Sequence, residues 1–522
     1  MDMHSVVVQV GKADVSAEDV LAVARGGARV EIGPDALAEM AGARARIDAL
    51  AAEPRPVYGV STGFGALAVR HISPELRAQL QRSLVRSHAA GMGPTVEREV
   101  VRALMFLRMK TLASGRTGVR PLVAETMAAL LNAGITPAVR EFGSLGCSGD
   151  LAPLSHCALV LMGEGTAFGP DGAEKPAAEL LAAAGIEPVE LLEKEGLALI
   201  NGTDGMLGML VMALADLRRL YTTADITAAM TLEALLATDR VLAPELHAPI
   251  RPHPGQAAAA ANMLAVLRGS GLTGHHHDDA PRVQDAYSIR CAPQVAGAGR
   301  DTLAHAALVA DRELAASVDN PVVLPDGRVE SNGNFHGAPV AYVLDFLAIA
   351  AADLASISER RTDRLLDTAR SHGLPAFLAD DPGVDSGLMI AQYTQAALVS
   401  ENKRLAVPAS VDSIPSSAMQ EDHVSMGWSA ARKLRRAVAN LGRVLAVELV
   451  ASARALEMRE QAAEQPGVLA PATAAAIAAA RAAGVGGPGR DRFLSPDLEA
   501  AAELVGTGAL IEAVQRVTGP LA

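Results

Sequence analysis

Cysteine is scarce in this chain: Cys147, Cys157 and Cys291 are the only three in 522 residues. That is too few for a disulfide framework, and an odd number in so long a chain suits a reducing compartment. An excess of positive charge is also missing. The formal net charge is −13, which lacks the basic footprint of a nucleic-acid binder, so no nucleic acid is expected and a small molecule is the expected partner. The opening residues, MDMHSVVVQVGKADVS, have no basic segment followed by an apolar one. No secretory signal is therefore expected, and the expected location is cytoplasmic. Long uninterrupted apolar runs are absent too. Asp216 breaks MLGMLVMALADLRRL and Asp345 breaks AYVLDFLAIAAADL, well short of the ~18 residues that a membrane span requires. These stretches read as buried helices, with no membrane partner.

What the chain does have is helical periodicity. After a short β-like start (Val6 to Val10), helices and glycine-rich turns mix as far as Gly205. From there the spacing of apolar residues predicts long helices over Met206–Arg240, Asp301–Val318, Ala338–Arg370, Gly387–Leu405 and Asp422–Gln461, none with a proline beyond its first turn. The last would span ~60 Å at 1.5 Å per residue. The expected fold is mainly α: a long central helix bundle (206–465), a smaller mixed N-terminal region (1–205) and C-terminal capping helices (466–522). Helices apolar nearly all round belong inside a large body, which points to oligomerisation, though a single-chain core explains them almost as well. Polar loops on such a scaffold are where a site is usually assembled.

One loop stands out: GSLGCSGDLAPLSH, Gly143 to His156. A Ser-Gly pair is ordinarily a turn or an N-cap, and Asp150 is a plausible N-cap for a helix beginning at Leu151, with Pro153 tolerated in its first turn. Cys147 with His156 could suggest a thiol nucleophile, but no family signature surrounds this cysteine. A third chemistry uses the serine differently. If the amide nitrogen of Gly149 attacks the carbonyl carbon of Cys147, a five-membered ring closes, and loss of water from Ser148 leaves an electrophilic methylidene carbon. Glycine suits the third position because a Cβ would obstruct the approach of nitrogen to carbonyl. The first residue contributes only backbone.

This segment resembles the ring-forming stretch of the aromatic amino acid ammonia-lyases, which carry a 4-methylidene-imidazol-5-one (MIO) group. Those enzymes usually show Ala-Ser-Gly where this chain has Cys147-Ser148-Gly149. The resemblance extends, in order, through YGVSTGFGALA from Tyr58, LQRSLVRSHAAGMG from Leu80, LALINGTDG from Leu197, RPHPGQ from Arg251, VQDAYSIRCAPQV from Val283, DNPVV…NGNFHG from Asp319 and QEDHVSM from Gln420. It implies elimination of ammonia with the chain-derived MIO as electrophile, no external cofactor, no metal, and a homotetramer with active sites shared among subunits. By the same resemblance Tyr58 is the β-proton base and Tyr287 an orienting or proton-relaying group. Arg290 matches the carboxylate-binding arginine, Asn201 and Gln284 the amides that hold the amino group and the ring, and Phe335 the aromatic wall. Within the family the chain is most similar to the histidine-cleaving branch, which implies L-histidine as substrate and trans-urocanate as product. His88, Met389 and Glu421 match its imidazole-facing positions. The aspartate in NGTDG departs from the glutamine that this branch often has after the threonine.

Two rival classes remain at this stage. HHHDD at His275–Asp279 could ligate a divalent metal and serve a hydrolase, but adjacent residues cannot all face one ion, and a solvated loop is the expected reading. A non-enzymatic helical scaffold is the other.

Overall fold

The structure, a computed structural model, describes residues 6–11, 14–53, 56–273, 283–463 and 468–522. His275–Asp279 lies outside the described residues. Helix dominates, and the chain forms two compact units, each assembled from discontinuous segments: Met1–Met212, Ala307–Leu344 and Pro408–Arg432 in the first, Ala213–Ala306, Asp345–Val407 and Lys433–Ala522 in the second.

The β-like start is a strand, Val7–Val10, paired in parallel with Arg29–Ile32. The helix between them, Ala17–Ala24, opens with a reciprocal cap in which the Ser16 hydroxyl accepts the Asp19 N–H and the Asp19 carboxylate accepts the Ser16 N–H. A buried guanidinium, Arg102, ties this corner to its neighbours by donating to the carbonyls of Val23 and Leu131.

The long helices run over Asp204–Ala234, Ala292–Ala315, Ala338–Leu366, Met389–Leu405 and Gly427–Ala462. The last has 36 residues, or about 54 Å. It starts five residues later than the spacing predicts, because Met426 has φ 53° and Ser416 pairs with Glu421 in an antiparallel bridge. The Ala292–Ala315 helix starts nine residues earlier than predicted. Pro293 falls in its first turn, where no N–H is needed. Its glycines are not breakers: a Cβ on Gly297 would lie 2.4 Å from the Gln256 backbone, and one on Gly299 1.9 Å from the Tyr221 hydroxyl. Helix neighbours approach too closely there for any side chain. The Ala338–Leu366 helix is long and apolar enough to cross a membrane, yet most of its apolar window is buried inside the protein. In the second unit, fully buried Glu448 is satisfied by Arg361, Thr227, Thr231 and Ser358. The tail folds as Pro471–Ala482, Ser495–Thr507 and Ala509–Thr518.

Candidate active site

The Gly143–Asp150 loop is held by backbone. Gly149 has φ 75° and bridges to Gly202, and a Cβ on it would fall 1.9 Å from the Gly202 carbonyl oxygen. The Asp150 N–H donates to that same oxygen at 2.7 Å. Asp150 occupies the N-cap position of the Leu151–Leu161 helix, but its side chain does not cap it. Instead Oδ2 accepts the N–H groups of Gly205 and Met206, both at 2.9 Å, and Oδ1 accepts the Ser144 hydroxyl. The carboxylate thus caps the next long helix, Asp204–Ala234, and staples it to the loop. Complete burial pushes the Asp150 carboxyl up to about 7.

Ser148 and Cys147 both face Glu421. The Ser148 hydroxyl donates to Oε1 at 3.2 Å, and the Cys147 thiol to Oε2 at 3.3 Å. Ser416 donates to Oε2 at 2.9 Å. Burial first, then the Glu421 charge, pushes the Cys147 thiol up to about 12, the reverse of what a nucleophilic cysteine needs. His156, the other half of the thiol alternative, accepts the Gly91 N–H through Nε2. The pair is not assembled.

Two adjoining cavities meet at Ser148. The first, about 610 Å³, has apolar walls from Leu80, Leu84, Leu197 and Ile200 and polar groups at Ser83 and His88. The second, about 430 Å³, is polar, with Asn332, His336, Gln420, Asp422 and His423 beside Phe335. Tyr58, Asn320 and Glu421 line both. At the end of the Pro74–His88 helix, His88 places Nδ1 2.9 Å from the Leu84 carbonyl, and burial lowers its pKa. The ring is therefore neutral near pH 7, with its Nδ1–H on Leu84 and Nε2 as acceptor. The Tyr58 hydroxyl accepts the Gly65 N–H at 3.4 Å. Burial pushes its phenol up, the Gly65 bond opposes this, and the charges of Glu421 and Asp319 add to the rise. Asn201 is buried and donates Nδ2–H to the Asn320 carbonyl at 3.0 Å.

So Tyr58, His88, Ser148, Asn201 and Glu421 surround one cavity, with Cys147 and Phe335 on the adjoining one. Gln284, Tyr287, Arg290 and Met389 belong to the second unit and line neither. There the Tyr287 ring is 71% exposed, and the Arg290 guanidinium lies over it at 4.6 Å. Sequence reasoning did not single out Lys194, Asn320 or Asn332. The signal for the last two lies inside the motif from Asp319; for Lys194 there is none.

The residues present fit an MIO group. Gly149 sits where no Cβ can, Ser148 opens onto both cavities, and Cys147 offers its carbonyl one residue before.

A loop with this geometry, set in a mainly helical scaffold between an apolar and a polar cavity, defines an enzyme for a small amphipathic substrate. The family model for aromatic amino acid lyase matches residues 15–482. Histidine ammonia-lyase of Streptomyces coelicolor is 77% identical over 519 residues, covering 99% of this chain and all of the relative. Among solved structures, tyrosine aminomutase from Streptomyces globisporus superimposes with a TM-score of 0.92 at 39% identity, covering 99% of this chain and all of that one. Histidine ammonia-lyase from Trypanosoma cruzi gives 0.88 at 37%, covering 98% and 95%. The chain belongs to the aromatic amino acid lyase family. It is a carbon–nitrogen lyase.

Proposed function

We propose that this lyase eliminates ammonia from L-histidine to give trans-urocanate, using an MIO electrophile formed from Cys147-Ser148-Gly149. The observation that carries the reading is the shared cavity: the Ser148 hydroxyl opens onto the same space as His88 and Glu421. When formed, the group supplies an electron-poor carbon that turns the substrate amine into a better leaving group.

The other steps belong to the side chains. The imidazole lies in the first cavity, where His88 Nε2 and Glu421 offer acceptors to ring N–H groups and Met389 is a further ring contact. Asn201 lines this cavity with its NH₂ held by the Asn320 carbonyl, which leaves Oδ1 to accept the substrate ammonium. Arg290 takes the carboxylate, since a guanidinium fixes both its charge and its orientation, with Gln284 beside it and Phe335 as a wall. Tyr58 removes the β-proton, and Tyr287 orients or relays. A phenol pushed up by burial and two carboxylates ionises only with cationic help, and the incoming substrate ammonium brings one. The working protein is a cytoplasmic homotetramer with sites shared among subunits, and Gln284, Tyr287, Arg290 and Met389, which line neither Ser148 cavity, join the site through that sharing.

Two measurements test this together. Purified protein is given L-histidine, L-phenylalanine and L-tyrosine, and urocanate, cinnamate and coumarate are followed by absorbance; urocanate is expected to dominate. The peptide holding Cys147–Gly149 is expected to weigh less than its sequence by two waters. An active protein with an unmodified peptide, or a β-amino acid as main product, overturns the proposal.

A further inference from the structure

Lys194 and Asn201 stand at the two ends of one short helix, Glu195–Ile200. Lys194 precedes it in the left-handed region at φ 73°, and Asn201 follows it. Both ends grip the same dipeptide. Lys194 Nζ donates to Asp319 Oδ2 at 2.5 Å, with both side chains fully buried, while Asn201 Nδ2 donates to the Asn320 carbonyl. The remaining Asp319 oxygen accepts the Asn320 N–H at 2.8 Å. Asn332 closes the network, donating its side-chain N–H to the Asp319 carbonyl and its backbone N–H to Asn320 Oδ1. Asn320 lines both cavities.

Tyr58 rests on the same assembly. Its neighbour Gly59 has φ 76°, and a Cβ there would meet Leu197 at 2.9 Å, Pro321 at 3.1 Å and the Lys194 side chain at 3.5 Å. The loop that carries Tyr58 therefore packs close against Leu197 and Pro321, with the Lys194 side chain next to them. Asp319 is also one of the two carboxylates whose charge opposes ionisation of the Tyr58 phenol. A buried ion pair is a costly way to hold two loops together, because both ions lose their hydration. Here the cost has a local use: the cation cancels a carboxylate beneath a phenol that has to lose a proton.

We propose that Lys194 is a positioning residue for the elimination: through Asp319 it fixes the Asn320 backbone that orients Asn201, and its charge offsets that of Asp319 beneath Tyr58. The inference rests on Tyr58 being the group that removes the β-proton.

The test compares Lys194→Met, Asp319→Asn and the double variant with the unaltered enzyme, reading kcat and KM for L-histidine across pH. Intact mass is measured on each, and retention of the two-water deficit shows that the loop has folded and matured. Lys194→Met leaves Asp319 uncompensated. Its kcat is expected to fall by about 100-fold, as for a displaced catalytic group, and the ascending limb of its pH profile to move up by roughly one unit. The double variant carries neither charge, so its limb is expected to return to the original position even if some rate stays lost. Asp319→Asn alone is expected to move the limb down, and it supplies the reading if Lys194→Met does not fold. A limb that stays in place in both single variants, or that moves equally in the double variant, overturns the inference. Tyr58→Phe is measured alongside. If it is fully active, the base assignment fails and the inference falls with it; if it is inactive while the other limbs do not move, the inference alone is overturned.

Discussion

Gly149 meets Gly202 backbone to backbone, so closely that a Cβ on Gly149 would lie 1.9 Å from the Gly202 carbonyl oxygen. The contact is a bridge between two loops far apart in sequence, and the Asp150 N–H extends it by donating to the same oxygen. A side chain at position 149 would push the loops apart and would also have to adopt φ 75°, a conformation that costs an L-residue about 1–2 kcal/mol before any clash. Gly149→Ala is therefore expected to lose stability by a few kcal/mol and to lack the two-water deficit. Thermal unfolding and peptide mass spectrometry check the two halves separately.

The Ser148 and Cys147 variants should part company. Ser148→Ala removes the only oxygen whose loss can create a methylidene, so elimination is expected to nearly vanish while assembly, followed by size-exclusion chromatography, stays intact. Cys147→Ala removes a thiol that burial and Glu421 hold near 12, together with one hydrogen bond to Glu421, worth about 1 kcal/mol. Most activity is expected to remain. Alkylating reagents at pH 7 are expected to leave the unaltered enzyme active, because almost no thiolate is present. A dead Cys147→Ala beside an active Ser148→Ala would hand the chemistry to the thiol.

These residues show how far the sequence could be read. The long helices are legible because each has apolar residues at helical spacing and no proline beyond its first turn, and that periodicity survives any tertiary context. Their ends are less so. Gly297 and Gly299 look like interruptions, although they are the places where Gln256 and Tyr221 come closest, a fact about partners that the local sequence does not carry. Asp150 shows the same limit. Its position before Leu151 fits an N-cap, yet its carboxylate serves Gly205 and Met206. The ring chemistry of Ser148 is legible because it depends on consecutive residues. The grip of Lys194 on Asp319 joins positions 125 apart and leaves no local pattern.

Asp150 also makes a prediction about pH. Its carboxyl is pushed up to about 7 by burial, from an ordinary value of 3.8. Between those two pH values the folded protein holds a proton that the unfolded chain has released, so this group's contribution to stability is full below pH 4 and declines as pH rises toward 7. The decline is on the order of a few kcal/mol. Asp150→Asn cannot ionise. Its Oδ1 can still accept from Gly205 and Met206, while its NH₂ donates to the Ser144 hydroxyl. Urea unfolding between pH 4 and 8 is expected to show a shallower fall in midpoint for Asp150→Asn than for the unaltered protein. Parallel curves would mean that Asp150 is already ionised throughout.

The expected substrate preference follows from which residues line the first cavity. His88 has its Nδ1 proton committed to the Leu84 carbonyl, which leaves Nε2 as an acceptor, and the Glu421 carboxylate lines the same cavity within hydrogen-bond distance of Ser148. Bound phenylalanine would offer no donor to either acceptor: the Glu421 carboxylate would keep only Cys147, Ser148 and Ser416, and His88 Nε2 would go unpaired at about 1–3 kcal/mol. Histidine can donate ring N–H groups to them. Sites built on hydrogen bonds to a substrate group reject analogues that lack it by roughly 10⁴-fold or more, and L-histidine is expected to exceed L-phenylalanine and L-tyrosine in kcat/KM on that scale. Glu421→Gln keeps the shape and exchanges one acceptor for a donor, so histidine turnover should drop while assembly is unchanged. His88→Phe removes the neutral acceptor and lines the apolar wall further, so the residual activity should shift toward phenylalanine. Steady-state assays of both variants with all three amino acids check this, and indifference of histidine turnover to both changes would place the imidazole elsewhere.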